Sequence, residues 1–175
     1  MVDQGRNRDG VNMSAPDRKL AWHGMFLFLL GLVTGTQQRR FTNMRMALSA
    51  HLEGVMNGTF LVALAAVWSH VQLPPRVEQG TRWAALYGTY GNWLFTTLGA
   101  AMGTAAANPT LSQGHHGKPW QERVVLLGFR SMRYAFLAAV ALILVGLARR
   151  NAAPAESQQQ QAGSQSPDSP TLQVV

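Results

Sequence analysis

A chain of 175 residues has room for one domain, and the lack of cysteine excludes disulfides and thiolate chemistry while leaving the redox compartment open. Its 15 Lys and Arg outnumber its 8 Asp and Glu, for a formal charge of +7. These charges are scattered along loops and ends instead of clustered on one face, which argues against nucleic acid as a partner and for contact with anionic lipid.

Residues 1–19 mix Asp, Arg, Asn and Gly without an apolar period and read as a flexible polar segment. The first apolar stretch, LAWHGMFLFLLGLVTGT, covers 20–36, and the second runs from Met46 to about Val71. The third, WAALYGTYGNWLFTTLGAAMGTAA, covers 83–106. The fourth starts amphipathic near Glu122 and becomes wholly apolar in YAFLAAVALILVGLA, 134–148. A helix needs about 20 residues to cross a hydrocarbon core of about 30 Å. The expectation is therefore all-α: a four-helix transmembrane bundle, up-down-up-down, over 20–150. A soluble bundle would show a polar stripe at helical period in its helices, and only the start of the fourth does. A cleaved signal peptide, the rival reading of the first span, is opposed by a long charged leader with no clean A-x-A site after the span. Residues 151–175, with a QQQQ tract, Ser and Pro, read as a disordered tail.

Among the acidic residues only Glu53 falls inside a span, the distribution that lipid enforces. Trp22, Trp68 and Trp83 fall at span ends that this topology puts on one side, with Trp120 on the other, as an aromatic belt; Trp93 alone is mid-span. Basic residues lean toward the side of the termini, which predicts cytoplasmic termini. Three spans carry a small-xxx-small pair: Gly31 and Gly35, Gly54 and Gly58, Gly99 and Gly103. Such pairs let helix backbones approach closely, within a subunit or between subunits.

The chemistry-bearing residues crowd into SAHLEGVMNGTF, 49–60. At 100° per residue, Gly54 and Gly58 lie about 60° and 20° from His51, which places His51 on the close-packing face. Asn57 lies about 120° round from His51 and Glu53 about 160°, on a shared i, i+4 ridge. The helix thus presents a histidine to one neighbour and an acid–amide pair to another, as at an interface site with metal or cofactor against His51 and substrate against Asn57. The bland alternative is interhelical glue, worth about 0.6 kcal/mol per polar contact. Three polar groups in two turns weigh against it, because each costs on the order of 2 kcal/mol or more if left unpaired in hydrocarbon. On the third span, YGTYGN places Tyr90 and Asn92 about 200° apart; Tyr87 reads as an interfacial anchor, and Asn92 lies deeper and needs a partner. His23 and His70 fall near span ends. His115 and His116 fall in the loop NPTLSQGHHGKPW, read as solvated. No HExxH, GxSxG, phosphate loop or paired-carboxylate spacing occurs.

NMRMALSAHLEGVMNGTFLVALAAVW (43–68) followed by ALYGTYGNW (85–93) resembles the hydroxylaminobenzene mutase family of small bacterial membrane proteins, and the four-span pattern extends the likeness over 20–148. That family is more distantly similar to the styrene oxide isomerases, which are trimers with haem b bound between subunits. In those proteins the pattern AH, then NG five residues on, marks an axial histidine and a substrate-orienting asparagine. AHLEGVMNG matches it at His51 and Asn57, and Asn92 matches an asparagine of their third helix. Gly88 and Thr96 stand where the isomerases carry an acid and a tyrosine, so those two roles do not transfer.

The resemblance implies a bacterial inner-membrane, multi-pass homo-oligomer that rearranges an arylhydroxylamine, a small aromatic substrate, to an ortho-aminophenol. Catalysis would fall to His51, Asn57, Asn92, Tyr90 and Glu53. His51 would hold haem b as a ferric Lewis acid, Asn57 would aim the hydroxyl, and Asn92 and Tyr90 would complete or wall the pocket. Three alternatives stand beside this reading: an aryl-epoxide isomerase giving an aldehyde, a small transporter in which Glu53 titrates, and a structural interaction protein.

Overall fold

A computed structural model describes residues 15–149. Of the polar segment expected over 1–19, residues 1–14 lie outside the described residues, while 15–19 belong to the first helix; the tail expected over 151–175 lies wholly outside them. Four long helices form: α1, Ala15–Thr36; α2, Met44–Val67; α3, Pro75–Met102; and α4, Pro119–Ala148. At a rise of 1.5 Å per residue they span about 33 to 45 Å, enough to cross a bilayer.

Local chemistry sets their ends. Pro75 and Pro119 open α3 and α4 at positions where a missing backbone N–H costs nothing. Asn43 caps α2: its side-chain oxygen accepts from Met46 N at 3.0 Å, and its Nδ2 donates to the carbonyls of Leu111 and Ser112 at 2.8 and 3.1 Å. Fully buried, Asn43 thereby ties the start of α2 to the loop after α3. Gly103 ends α3 with φ 65°, the left-handed conformation that glycine adopts without strain. The third glycine pair is therefore divided: Gly99 packs against Met46, while Gly103 is a helix stop.

Helices α1 and α2 run closely together, as do α3 and α4, and α2 packs on α3 to join the two hairpins. The α1–α2 approach depends on glycine: a Cβ on Gly54 would stand 2.5 Å from the Cα of Gly31, and one on Gly58 would stand 2.7 Å from the Gly24 carbonyl oxygen. In the second hairpin, Gly88 receives Phe136 and Gly128 receives Phe95. The main core joins Leu27, Leu61, Leu64, Ala85, Ala139 and Ile143 from all four helices.

By length and apolar composition α1, α2 and α4 qualify as membrane spans; α3 does not. Its apolar run is diluted by Thr, Gly, Tyr and Asn, and the structure shows where part of this polarity goes. Thr81, Thr89 and Thr96 are buried, and each returns its hydroxyl to a carbonyl four residues back. These three threonines of α3 are thus turned inward, onto the neighbouring helices.

The belt reading holds for Trp22, Trp83 and Trp120, which are well exposed, and fails for Trp68. Trp68 is 2% exposed, donates from Nε1 to Glu78 at 2.9 Å and lies under the Arg82 guanidinium, 4.7 Å from the ring centre. Arg82 also bonds Glu78 at 2.8 Å and reaches Asp17 at 3.6 Å. Helix α1 begins at Ala15, five residues ahead of the expected boundary, so Asp17 belongs to the helix and joins this cluster.

Candidate active site

The α2 segment 49–60 divides its polar side chains between two neighbours. His51 turns to α1: its Nδ1 lies 2.8 Å from the Gly31 carbonyl oxygen. A carbonyl only accepts, so Nδ1 carries the proton and Nε2 keeps its lone pair. Gly35, one turn further on, lies against the ring, where a Cβ would stand 2.7 Å from Nδ1. The imidazole is thus bonded on one side, seated on a bare glycine, and left with one basic nitrogen that has no partner among the described residues.

Glu53 and Asn57 turn to α3. Thr96 Oγ1, its one proton shared between the Asn92 carbonyl and Glu53, and Ser49 Oγ hold the two carboxyl oxygens of Glu53, the latter at 3.3 Å. Asn57 Nδ2 donates to the Thr89 carbonyl at 3.4 Å, a long bond that holds the amide weakly, and its Oδ1 has no partner among the described residues. Thr89 and Thr96 are fully buried.

Asn92 lies between these two threonines in α3, about 60° and 40° from them around the axis. It is half-buried, and its side-chain amide has no partner among the described residues. The deep partner that Asn92 was expected to need is absent among the described residues. Residues 53, 57, 89, 92 and 96 form one polar layer between α2 and α3, with two carboxamides in it holding unused hydrogen-bonding capacity. In hydrocarbon such capacity is costly unless a guest satisfies it.

Tyr90 is placed elsewhere. Its hydroxyl donates to the His23 carbonyl at 3.1 Å and lies 3.2 Å from His23 Nδ1, in the seam between α1 and α3. Trp93 also reaches α1, donating to Thr34 Oγ1 at 3.1 Å. Gly31 and Trp93 both pack on Gly54, and on the α2 surface that glycine separates His51 from Asn57. The single chain therefore does not bring His51 and Asn57 into one cavity.

Two partners in this layer, Thr89 and Thr96, were not singled out as polar contacts from sequence. Threonine in a helix usually bonds its own turn, and only the second bond from Thr96 to Glu53 distinguishes it.

For a metal, the described residues hold no cluster of three or more His, Cys, Asp or Glu. What they offer is one histidine whose orientation is set by its bond to the Gly31 carbonyl and by the seat on Gly35, with Nε2 free among the described residues. A haem iron, if bound, would be held here by Nε2 of His51 alone. Tyr87 bonds Ser131 at 2.6 Å and remains at the exposed edge, as an anchor would.

A family model described as styrene oxide isomerase matches residues 16–148. Hydroxylaminobenzene mutase HabA of Ectopseudomonas oleovorans is 39% identical over 127 residues, covering 72% of this chain and 94% of the relative. Hydroxylaminobenzene mutase HabB of the same organism is 40% identical over 148 residues, covering 81% of this chain and 90% of the relative. No solved structure matches significantly.

Proposed function

The chain belongs to the styrene oxide isomerase family and is an isomerase, and from that premise we propose that it converts hydroxylaminobenzene-type arylhydroxylamines to ortho-aminophenols by intramolecular hydroxyl transfer. The observation that carries the reading is its 39% and 40% identity to two proteins named for that reaction. The polar layer of α2 and α3 supports it.

In this reaction the hydroxyl oxygen leaves nitrogen and bonds to the ortho carbon, whose proton is lost while nitrogen gains one. Substrate and product are isomers, so no oxidant, reductant or water is consumed. N–O cleavage leaves positive charge on the ring and negative charge on the departing oxygen. Asn57 supplies an N–H to that oxygen, since its amide is held only by the long bond to Thr89. Asn92 supplies a second carboxamide from the facing helix. Together they confine the oxygen near the ortho carbon. Glu53, gripped by Thr96 and Ser49, keeps α2 in register against α3 and so sets the height of Asn57. Tyr90 acts at a distance, holding α1 to α3 through His23. The apolar surroundings keep water from capturing the cation at the para position. A ferric haem held through Nε2 of His51 would, when bound, supply a Lewis acid to the N–O group.

Since His51 and Asn57 leave α2 in different directions, the reading includes a homo-oligomer, a trimer by resemblance. Leu48 and Leu52, about 60° and 100° from His51 around α2, are 44% and 49% exposed and extend an apolar face beside it that a second copy can cover. The reading extends to a multi-pass protein of the bacterial inner membrane with cytoplasmic termini; helices long and apolar enough to cross a bilayer support the membrane part of it.

The test is incubation of solubilised protein with hydroxylaminobenzene under nitrogen, with product identification and a visible spectrum on the same sample. Expected are 2-aminophenol and a Soret band lost in His51→Ala. Absence of 2-aminophenol overturns the substrate assignment, and absence of the band removes haem. A second reading, aryl-epoxide isomerisation, is favoured by the description of the matching family model. Aldehyde from styrene oxide without aminophenol from hydroxylaminobenzene would establish it instead.

A further inference from the structure

At the end of the bundle where α1 and α3 begin, a cavity of about 480 Å³ opens between them, with Lys19, Gln79 and Arg82 at its mouth. The Lys19 side chain is exposed and has no partner among the described residues. Arg82 holds Glu78 and Asp17 through one terminal nitrogen, but its Nε is buried and without a partner among the described residues. No carboxylate lines the cavity, so its polar wall offers donors and positive charge.

Below it the wall changes character. His23, Trp83 and Leu86 are shared with a second hollow, about 410 Å³ and almost wholly apolar, that continues along the α1–α3 seam to Phe26 and Tyr90. From Lys19 to Phe26 is two helical turns, about 10 Å. Trp22 and Trp83, 60% and 66% exposed, flank the passage at the depth of a membrane–water interface. A cationic, donor-rich mouth leading into an apolar channel of this length matches the two ends of one amphiphile.

We infer that the α1–α3 seam is a specific site for a glycerophospholipid with an anionic headgroup: its phosphate oxygens on Lys19 and the exposed part of the Arg82 guanidinium, one acyl chain along Trp83, Leu86 and Phe26. Basic pockets between membrane helices are the general form of such sites. The lipid wedges the seam that the Tyr90–His23 contact closes from within, and so fixes α1 against α3. The inference does not depend on which reaction the polar layer catalyses.

The experiment uses the full chain in nanodiscs with a Trp120→Phe background, so that the well-exposed tryptophans among the described residues are Trp22 and Trp83. Fluorescence quenching by acyl-brominated phosphatidylglycerol is compared with that by acyl-brominated phosphatidylcholine, in three forms: parent, Lys19→Gln, and Arg18→Gln. Arg18→Gln removes the same charge one residue away but does not line the cavity. Expected is at least a threefold preference for the anionic lipid in the parent, halved or worse in Lys19→Gln and retained in Arg18→Gln. Circular dichroism on each variant checks the fold. Equal loss in both variants, or equal quenching by both lipids in the parent, overturns the inference in favour of ordinary boundary lipid. Displacement of the brominated lipid by water-soluble glycerophosphoglycerol would show a headgroup site without a chain channel and also overturns it. Protection of Trp22 and Trp83 from both lipids overturns it in favour of a second copy covering the seam.

Discussion

Gly35 lies against the ring of His51: a Cβ there would come within 2.7 Å of Nδ1 and 3.0 Å of Cγ and Cε1. No flexible far end can yield at that spot, because the ring is also bonded to the Gly31 carbonyl. Gly35→Ala must therefore displace the imidazole. Expected are at least a tenfold fall in turnover and a stability loss of about 1–3 kcal/mol, the usual cost of overpacking. Gly80→Ala is the control, since nothing lies within 4 Å of its added Cβ, and it should be neutral or stabilising by about 0.5–1 kcal/mol. Turnover and thermal unfolding in detergent measure both; full activity in Gly35→Ala would show that the ring position is immaterial.

Asn57→Leu separates guest-gripping from glue. In this chain Asn57 makes one long bond to Thr89, so its removal should change the melting temperature little. If the amide holds the migrating oxygen, turnover falls about 100-fold, the order seen when a donor to developing negative charge is deleted. Asn92→Leu should behave alike and even raise stability, since its amide has no partner to lose. A variant that keeps its rate would mark Asn57 as packing only.

Glu53 and Thr96 are a bonded pair on facing helices. Thr96→Val strips the carboxyl of one donor and should destabilise by about 1–3 kcal/mol, whereas Glu53→Gln/Thr96→Val should lose less than the sum of its single changes. A double-mutant cycle on unfolding free energy measures the coupling. Additive losses would mean the pair is not formed in the protein as purified.

Glu122 acts on the loop before it. Its carboxylate accepts from the backbone N–H groups of Ala105, Ala106 and Gly117 at 2.8 to 3.0 Å. Glu122→Ala leaves those donors to water, so hydrogen exchange at 105, 106 and 117 should quicken sharply while amides in the middle of α2 keep their protection. The unfolding free energy should drop by about 1–3 kcal/mol. Unchanged exchange at those three amides would contradict the arrangement.

Much of this was legible along the chain because each signal is local. Four apolar runs, each about long enough to cross a bilayer, set the helices. A repeat of 100° per residue was enough to say that His51 faces one neighbour while Glu53 and Asn57 face another.

The misreadings share a cause. Trp68 sits at a span end as a belt tryptophan would, but Glu78 and Arg82, ten and fourteen residues on, fold back over it and bury it. Gly99 and Gly103 have the spacing of a packing pair, yet a left-handed φ at Gly103 stops the helix. The resemblance put Tyr90 and Asn92 at one pocket although they leave the helix about 200° apart; across the bundle Tyr90 meets His23.

By itself the sequence determined that there are four helices and the angle at which each polar side chain leaves its own axis, because these depend on residues within a turn or two. Which neighbour stands in each direction was decided only by the tertiary structure. That choice rests on close backbone approach at Gly31 and Gly54, and on Phe136 filling the space above Gly88, contacts between residues far apart in the chain. A helix's period carries no information about the shape of its neighbour, so the seat of His51 on Gly35 and the grip of Thr96 on Glu53 had to be found in three dimensions.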